Sequence, residues 1–468
     1  MKTKLRILAL MLTLAMILSA FAGCGGGDTA TDDGADTTTA DTGESTADDT
    51  ADSGGDDTAD TAPSGGEVGE IEDGAKLVYW TMWNEAEPQG MVIQEAVDAF
   101  TEETGVEVDI NFNGRDIRKT LEPALAGGEE IDLFDEDIER VLNSWGDYLL
   151  PLDDFVAASY DNTDGKPYRD TINNSLITLA EDLGTDKNFA DGGKIHNIPY
   201  QPSTFVVMYN KDLFDEAGIT EVPKTWDEYL DVCAKLKEKE ITPITVDDAY
   251  IAALMGYTLD RIAGADKVYE MVETKDFSDP SVLRAGEIWE NMVKEGYIST
   301  KAATNVYPAG QVDEIAKGEV AMYLNGTWLP NEIKADAPDL NWGSFAWPAI
   351  DDTGDGIEAN NFGAQSFGIH KDTQYPNAAF ALVRWLTVGE WDQRLSEESM
   401  GVPMANDATW PVQLADAKAV IDTTTKRLNW AVGMEDDPEI NATVKEAFAK
   451  LVMGEYTAQD FADAMVAG

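Results

Sequence analysis

The sequence predicts an α/β protein whose folded part divides into two lobes, and three observations predict it. From Lys76 onward about 390 residues are rich in apolar and aromatic positions, more than one hydrophobic core usually holds. Strand and helix signals alternate along that stretch, the order that builds α/β layers. Beyond residue 24 the chain has a single cysteine, Cys233, so no disulfide can form within the body and apolar burial must hold it.

The elements follow in order. Leu77, Val78, Tyr79 and Trp80 make a short apolar run. Pro88 opens a segment with Ile93, Ala96, Val97 and Phe100 on one helical face, closed by Gly105. Val106, Val108, Ile110 and Phe112 then alternate with Glu107, Asp109 and Asn111, as in a strand with one buried face. Strand, helix, strand in that order implies a parallel pair with a right-handed crossover. Further along, Phe205 to Tyr209 reads as a strand and Lys211 to Ala217 as a short helix stopped by Gly218. Thr225 and Glu228 fit a capping box, in which the hydroxyl accepts from the first turn and the carboxylate reaches back. The helix they start carries Trp226, Tyr229, Leu230, Cys233 and Leu236 at spacings of three and four, so Cys233 and Trp226 read as core residues.

Ahead of the body, Met1 to Gly23 has three basic residues, an apolar run from Ile7 to Leu18 and then small residues, the order of an export signal. The apolar run is too short to stay in a bilayer as a spanning helix. Phe21-Ala22-Gly23-Cys24 resembles a bacterial lipoprotein box, in which the leader is cut before a cysteine that receives lipid. Residues 24–75 are then expected to be the anchor cysteine and a disordered acidic tether, almost all Gly, Asp, Thr, Ala and Ser up to about Gly66 and without Lys or Arg. The formal net charge of −56 extends into the body, which argues against nucleic acid and against a basic membrane-surface role. His196 and His370 stand far apart and outside any zinc spacing, so no metal and no cofactor is implied. Asp351 to Gly356 resembles a calcium loop, but Thr353 stands third and Phe362 twelfth, so it reads as an acidic turn.

Tyr209-Asn210-Lys211-Asp212-Leu213-Phe214-Asp215-Glu216-Ala217-Gly218-Ile219, with Val222 to Tyr229 behind it, resembles the signature of extracellular solute-binding proteins of sugar ABC transporters, the maltodextrin-binding-like group. Gly318 to Trp328, Gly363 to Ile369 and Gly401 to Met404 agree with it in type and order. The resemblance implies a type II periplasmic-binding-protein fold: two α/β lobes with a hinge and a ligand cleft between them. Lobe one would be 76–203 and 350–400, lobe two 204–349 and 401–468. Crossovers would fall near Gln201–Phe205, Trp347–Ile350 and Met400–Pro403, where Pro202, Pro348 and Pro403 suit stiff hinge segments.

A sugar cleft needs aromatic planes for ring faces and polar side chains for hydroxyls. The loop after the first strand supplies Trp83, Asn84, Glu85 and Glu87 at a strand's carboxyl end, where open α/β sheets bind ligands. Glu85 and Glu87 could equally favour the N-terminus of the helix that follows. The resemblance implies a stacking platform at Trp328 and hinge-side contacts from Tyr200 and Gln201. Asn361, Gln365 and Ser366 flank its third shared segment, Asp135 and Glu136 end another apolar run, and Arg115 follows Phe112. The expected function is lipid-anchored capture of a sugar, an oligosaccharide, for delivery to ABC permease subunits, without catalysis. The protein would be a monomer on the outer face of a single-membrane, Gram-positive-type cell. A secreted glycoside hydrolase and a non-catalytic adhesin are the alternatives.

Overall fold

The computed structural model describes residues 68–467. The leader, Cys24 and the tether as far as residue 67 lie outside the described residues. The last of the expected tether belongs to the body. The Glu72 carboxylate accepts from the Asn377 and Ala378 amides, both at 2.9 Å, at the N-terminus of the helix Pro376–Thr387. An anionic side chain there satisfies two amides that have no partner within the helix. Among the described residues no helix is long and apolar enough to cross a membrane.

Among the described residues nine strands form one connected sheet system: β1 Lys76–Thr81, β2 Glu107–Phe112, β3 Leu133–Asp137, β4 Ile198–Asn210, β5 Thr242–Thr245, β6 Val320–Gly326, β7 Trp342–Phe345, β8 Ala359–Ile369 and β9 Lys426–Leu428. Their order is β2-β1-β3-β8-β4-β6-β5, with β7 also on β4 and β9 on β8. As the alternation predicts, β1 and β2 are parallel, joined by the helix Pro88–Thr104 with Pro88 in its first turn and Gly105 at its left-handed end. The capping box forms as read: the Glu228 amide donates to the Thr225 hydroxyl, and the Glu228 carboxylate accepts from the Thr225 amide.

β4 ties the system together. Its first half pairs antiparallel with β8 from Ile198 to Thr204, and its second half pairs with β6 and β7 from Phe205 to Asn210. The strand read as Phe205 to Tyr209 therefore begins seven residues earlier and runs through Pro202. A register shift between Tyr200 and Pro202, with Gln201 at φ 44°, absorbs the proline without ending the strand.

Two hydrophobic cores flank this strand. One holds Leu77, Ile93, Phe100, Leu133, Trp145, Tyr200 and Phe367; the other holds Phe205, Tyr229, Cys233, Trp289, Tyr323, Trp347 and Phe448. The chain passes from the first to the second between Tyr200 and Phe205. The return lies between Ala359 and Phe362, with the intervening acidic turn fastened to the second core. Buried Arg261 donates to the carbonyls of Trp347 and Ala359, Asp351 pairs with Arg284, and Asp355 takes Lys426 at 2.7 Å. Past Met400 the path alternates: Val402 packs in the second core, Met404 in the first, and Leu414 in the second again. Asp392 causes the detour, its buried carboxylate accepting from the Met404 and Ala405 amides at 2.8–3.1 Å.

Candidate functional site

Trp83 is set by a relay of polar groups beneath β1. Its indole Nε1 donates to the Tyr200 hydroxyl at 2.7 Å, and that hydroxyl donates in turn to Asp135. Asp135 also accepts from the Met82 amide at 2.8 Å, Tyr79 at 3.1 Å and Thr81 at 3.3 Å. Burial pushes the Asp135 carboxyl up to about 6, against the pull of these donors. Tyr200 is itself stacked on Phe367, ring centres 4.2 Å apart. Trp83 is only 7% exposed and Arg115 lies over its ring at 4.7 Å, so what it offers outward is covered by a guanidinium. Arg115 also donates to the Met82 carbonyl and pairs with Glu87, which accepts from the Asn84 amide at 2.6 Å. Glu87 thus closes the loop at the start of the helix Pro88–Thr104, without capping it through its own side chain. Asn84 and Glu85 are exposed.

On the other side of the crossing stretch of β4, the second core presents an aromatic corner. Trp328 follows the end of β6, half-buried, with its ring flat against Gly326: a Cβ there would sit 2.1 Å from the indole, so only glycine allows that pose. Its Nε1 donates to the Tyr250 hydroxyl at 3.3 Å. Phe205, Trp328 and Tyr250 are mutually inclined by no more than 30° where measured against Phe205, whereas Trp430 stands at 72° to Phe205 and 69° to Tyr250. Trp328 and Trp430 are 5.9 Å apart, and Tyr307, 41% exposed, extends the group 6.0 Å from Tyr250. Two aromatic planes meeting at an angle, with both indoles half-exposed, can cradle an apolar ring face and its edge.

The remaining candidates are mostly structural. Asp135, Glu136, Tyr200 and Ser366 have no exposed surface in this structure. Glu136 is neutralised by Arg118 at 2.6 Å and Arg140 at 3.1 Å, and Ser366 accepts from Asn197. Gln201 donates to Ser399 at 2.6 Å, and Asn361 donates to the Leu428 carbonyl at 3.0 Å, so both brace the crossing strands. Gln365 keeps a buried side-chain oxygen without a partner among the described residues. His196 is buried beside Asp191, and burial lowers the pKa of His370, in keeping with structural roles. Tyr250, Phe205, Tyr307 and Trp430 escaped the sequence reading. Tyr250 and Trp328 each follow a strand end, the signal that found Trp83 and could have found Tyr250. A separate cavity of about 240 Å³ opens beside Tyr209, Lys211, Phe214 and Asn341, away from the aromatic corner.

The family of bacterial extracellular solute-binding proteins matches residues 84–390, well over half of the chain, and the protein belongs to it. A binding protein of Brucella abortus is 30% identical over 167 residues, 34% of this chain, which thereby spans 38% of that relative's length. The multiple sugar-binding protein of Streptococcus mutans is 25% identical over 314 residues, covering 64% of this chain and 72% of its own. RafE of Streptococcus pneumoniae, in its apo form, superposes with a TM-score of 0.66 at 18% identity over 85% of this chain and 97% of its own. RafE in complex with raffinose gives a TM-score of 0.61 at 18% identity, covering 84% of this chain and 98% of its own. The fold is accordingly the type II periplasmic-binding-protein fold that the sequence predicts.

Proposed function

We propose that this protein captures a saccharide, an oligosaccharide, between two lobes built on the two cores and delivers it to the permease subunits of an ABC importer. The observation that carries the reading is the aromatic corner of Trp328 and Trp430, set beside the one stretch of β4 where the chain passes from one core to the other. Trp83 lies against the other end of that stretch through Tyr200, so aromatic groups bracket the crossing from both sides. Names among the relatives and similar structures support a sugar: a multiple sugar-binding protein, and RafE with raffinose. The acidic body favours an uncharged glycan over an anionic one.

Binding is without catalysis: the site holds, and release to the permease ends the cycle. Ligand touching both lobes stabilises a closed form only through the extra contacts made there. Of the residues singled out in the sequence, Trp328 carries the stacking face, while Asn84, Glu85 and Arg115 supply polar groups from the opposite side. The lipoprotein box supports attachment through Cys24 to the outer face of a single-membrane cell, with the body acting as a monomer.

A panel of saccharides screened by calorimetry tests the reading. At least one glycan is expected to bind, with Trp328→Ala weakening it about tenfold or more. A panel with no binder, or hydrolysis of a glycoside by the purified protein, overturns it. Attachment is tested separately by metabolic lipid labelling, which Cys24→Ala should abolish.

A further inference from the structure

Trp430 stands on backbone that an L-amino-acid chain avoids. Ala431 (φ 50°, ψ 20°) and Val432 (φ 51°, ψ 38°) are both left-handed, and Gly433 continues at φ 81°. Three such residues in a row make a left-handed turn, and a β-branched valine within it is a true outlier. The surroundings over-determine this conformation. Ala431 and Val432 are fully buried, the Val432 amide donates to the Asn429 carbonyl at 3.0 Å, and the Met434 amide to the Ala431 carbonyl at 3.1 Å.

A second observation is independent of the first. Gly256 lies inside the helix Ile251–Ala263, where glycine is a poor helix former. A Cβ at that position would fall 2.1 Å from the Ala431 carbonyl oxygen. The helix has given up a side chain so that the strained turn can sit directly on it.

Both features converge on one side chain. The Trp430 indole is held at its nitrogen by Glu435, 2.9 Å away, whose other oxygen is buried with no partner among the described residues. The Asn429 amide is tied to the Tyr269 hydroxyl at 2.9 Å. Strain of this kind persists where a functional geometry requires it.

We propose that the left-handed turn Ala431–Gly433, seated on Gly256, is a positioning element that fixes Trp430 as the second wall of the ligand site. This rests on the saccharide reading above. Gly256 and Val432 touch no ligand; they act through Trp430.

The test is a double-mutant cycle on the best-binding saccharide of the panel, with affinities from calorimetry for the unaltered protein, Gly256→Ala, Trp430→Ala and the pair combined. Gly256→Ala and Trp430→Ala should each weaken binding about tenfold, and the pair no more than Trp430→Ala alone. A merely structural role would lower the melting temperature and leave the affinity in place. If Gly256→Ala does not fold, Gly433→Ala replaces it in the same cycle, since a Cβ there meets the Tyr269 ring at 3.3 Å. Affinity within roughly twofold of the unaltered protein for a folded turn variant overturns the proposal, as does an equal loss in the Trp430→Ala background. If Trp328→Ala weakens binding while Trp430→Ala does not, the saccharide reading stands and this inference falls. An unaltered protein that binds no saccharide removes both.

Discussion

Replacing Asp135 with asparagine isolates the cost of keeping a charge beneath the Trp83 loop. The carboxyl is fully buried and pushed from 3.8 up to about 6, desolvation outweighing the donors Tyr200, the Met82 amide, Thr81 and Tyr79. Because the folded form binds the proton more tightly than the unfolded chain, the stabilisation is complete below about pH 3.8 and is lost as pH rises through about 6. A shift of roughly 2 units corresponds to a swing of about 3 kcal/mol. About half of it should fall between pH 5 and 8, well above the isoelectric point near 4.1. Asparagine does not titrate, accepts from the Met82 amide through its oxygen, and resembles the protonated acid in shape. Urea unfolding of both proteins across that pH range should show Asp135→Asn gaining about 1.5 kcal/mol on the unaltered protein as pH rises. A stability difference that does not change with pH would refute the reasoning, because no other titrating group separates the two chains.

Arg261→Met should cost about 3–5 kcal/mol in denaturant unfolding, since it strands the buried Asp260 carboxylate and frees the Trp347 and Ala359 carbonyls. Thr225→Ala removes one half of the capping box and should cost about 1 kcal/mol, seen as a shifted midpoint with an unchanged slope. Small-angle scattering should show the radius of gyration falling when a bound glycan is added; an unchanged radius would exclude a closing clamp. Asp392, which burial raises to about 7, should make the unaltered protein more stable at pH 6 than at pH 8, and Asp392→Asn should flatten that part of the melting-temperature profile.

Local chemistry made part of this molecule legible in advance. Pro88 and Gly105 bracket a helix because the first lacks an amide the helix would leave unpaired and the second tolerates a left-handed end. Thr225 and Glu228 satisfy each other within four residues, so no distant partner was needed to see them. By sequence alone Pro202 suits a hinge segment, and only the facing β8 residues reveal that it sits inside a strand, at an irregularity that accommodates it. Asp135 reads from the sequence as the end of a strand, whereas β3 runs on to Asp137 and Asp135 pairs in its middle with Phe367. Its burial depends on Tyr79 and Tyr200, 56 and 65 residues away. Trp430 was invisible for a stronger reason: Ala431 and Val432 adopt backbone that their own preferences oppose, and only the surrounding packing imposes it.

β4 has a consequence for how the protein comes apart. Its first half pairs with β8 and its second half with β6 and β7, and the strand is continuous between them. Melting either half alone would leave the survivor with a raw edge and a severed neighbour. The two halves should therefore melt together, in a single calorimetric transition whose enthalpy matches the van't Hoff value. In the clamp proposed above, such sharing would let the lobes swing without giving either one licence to unravel.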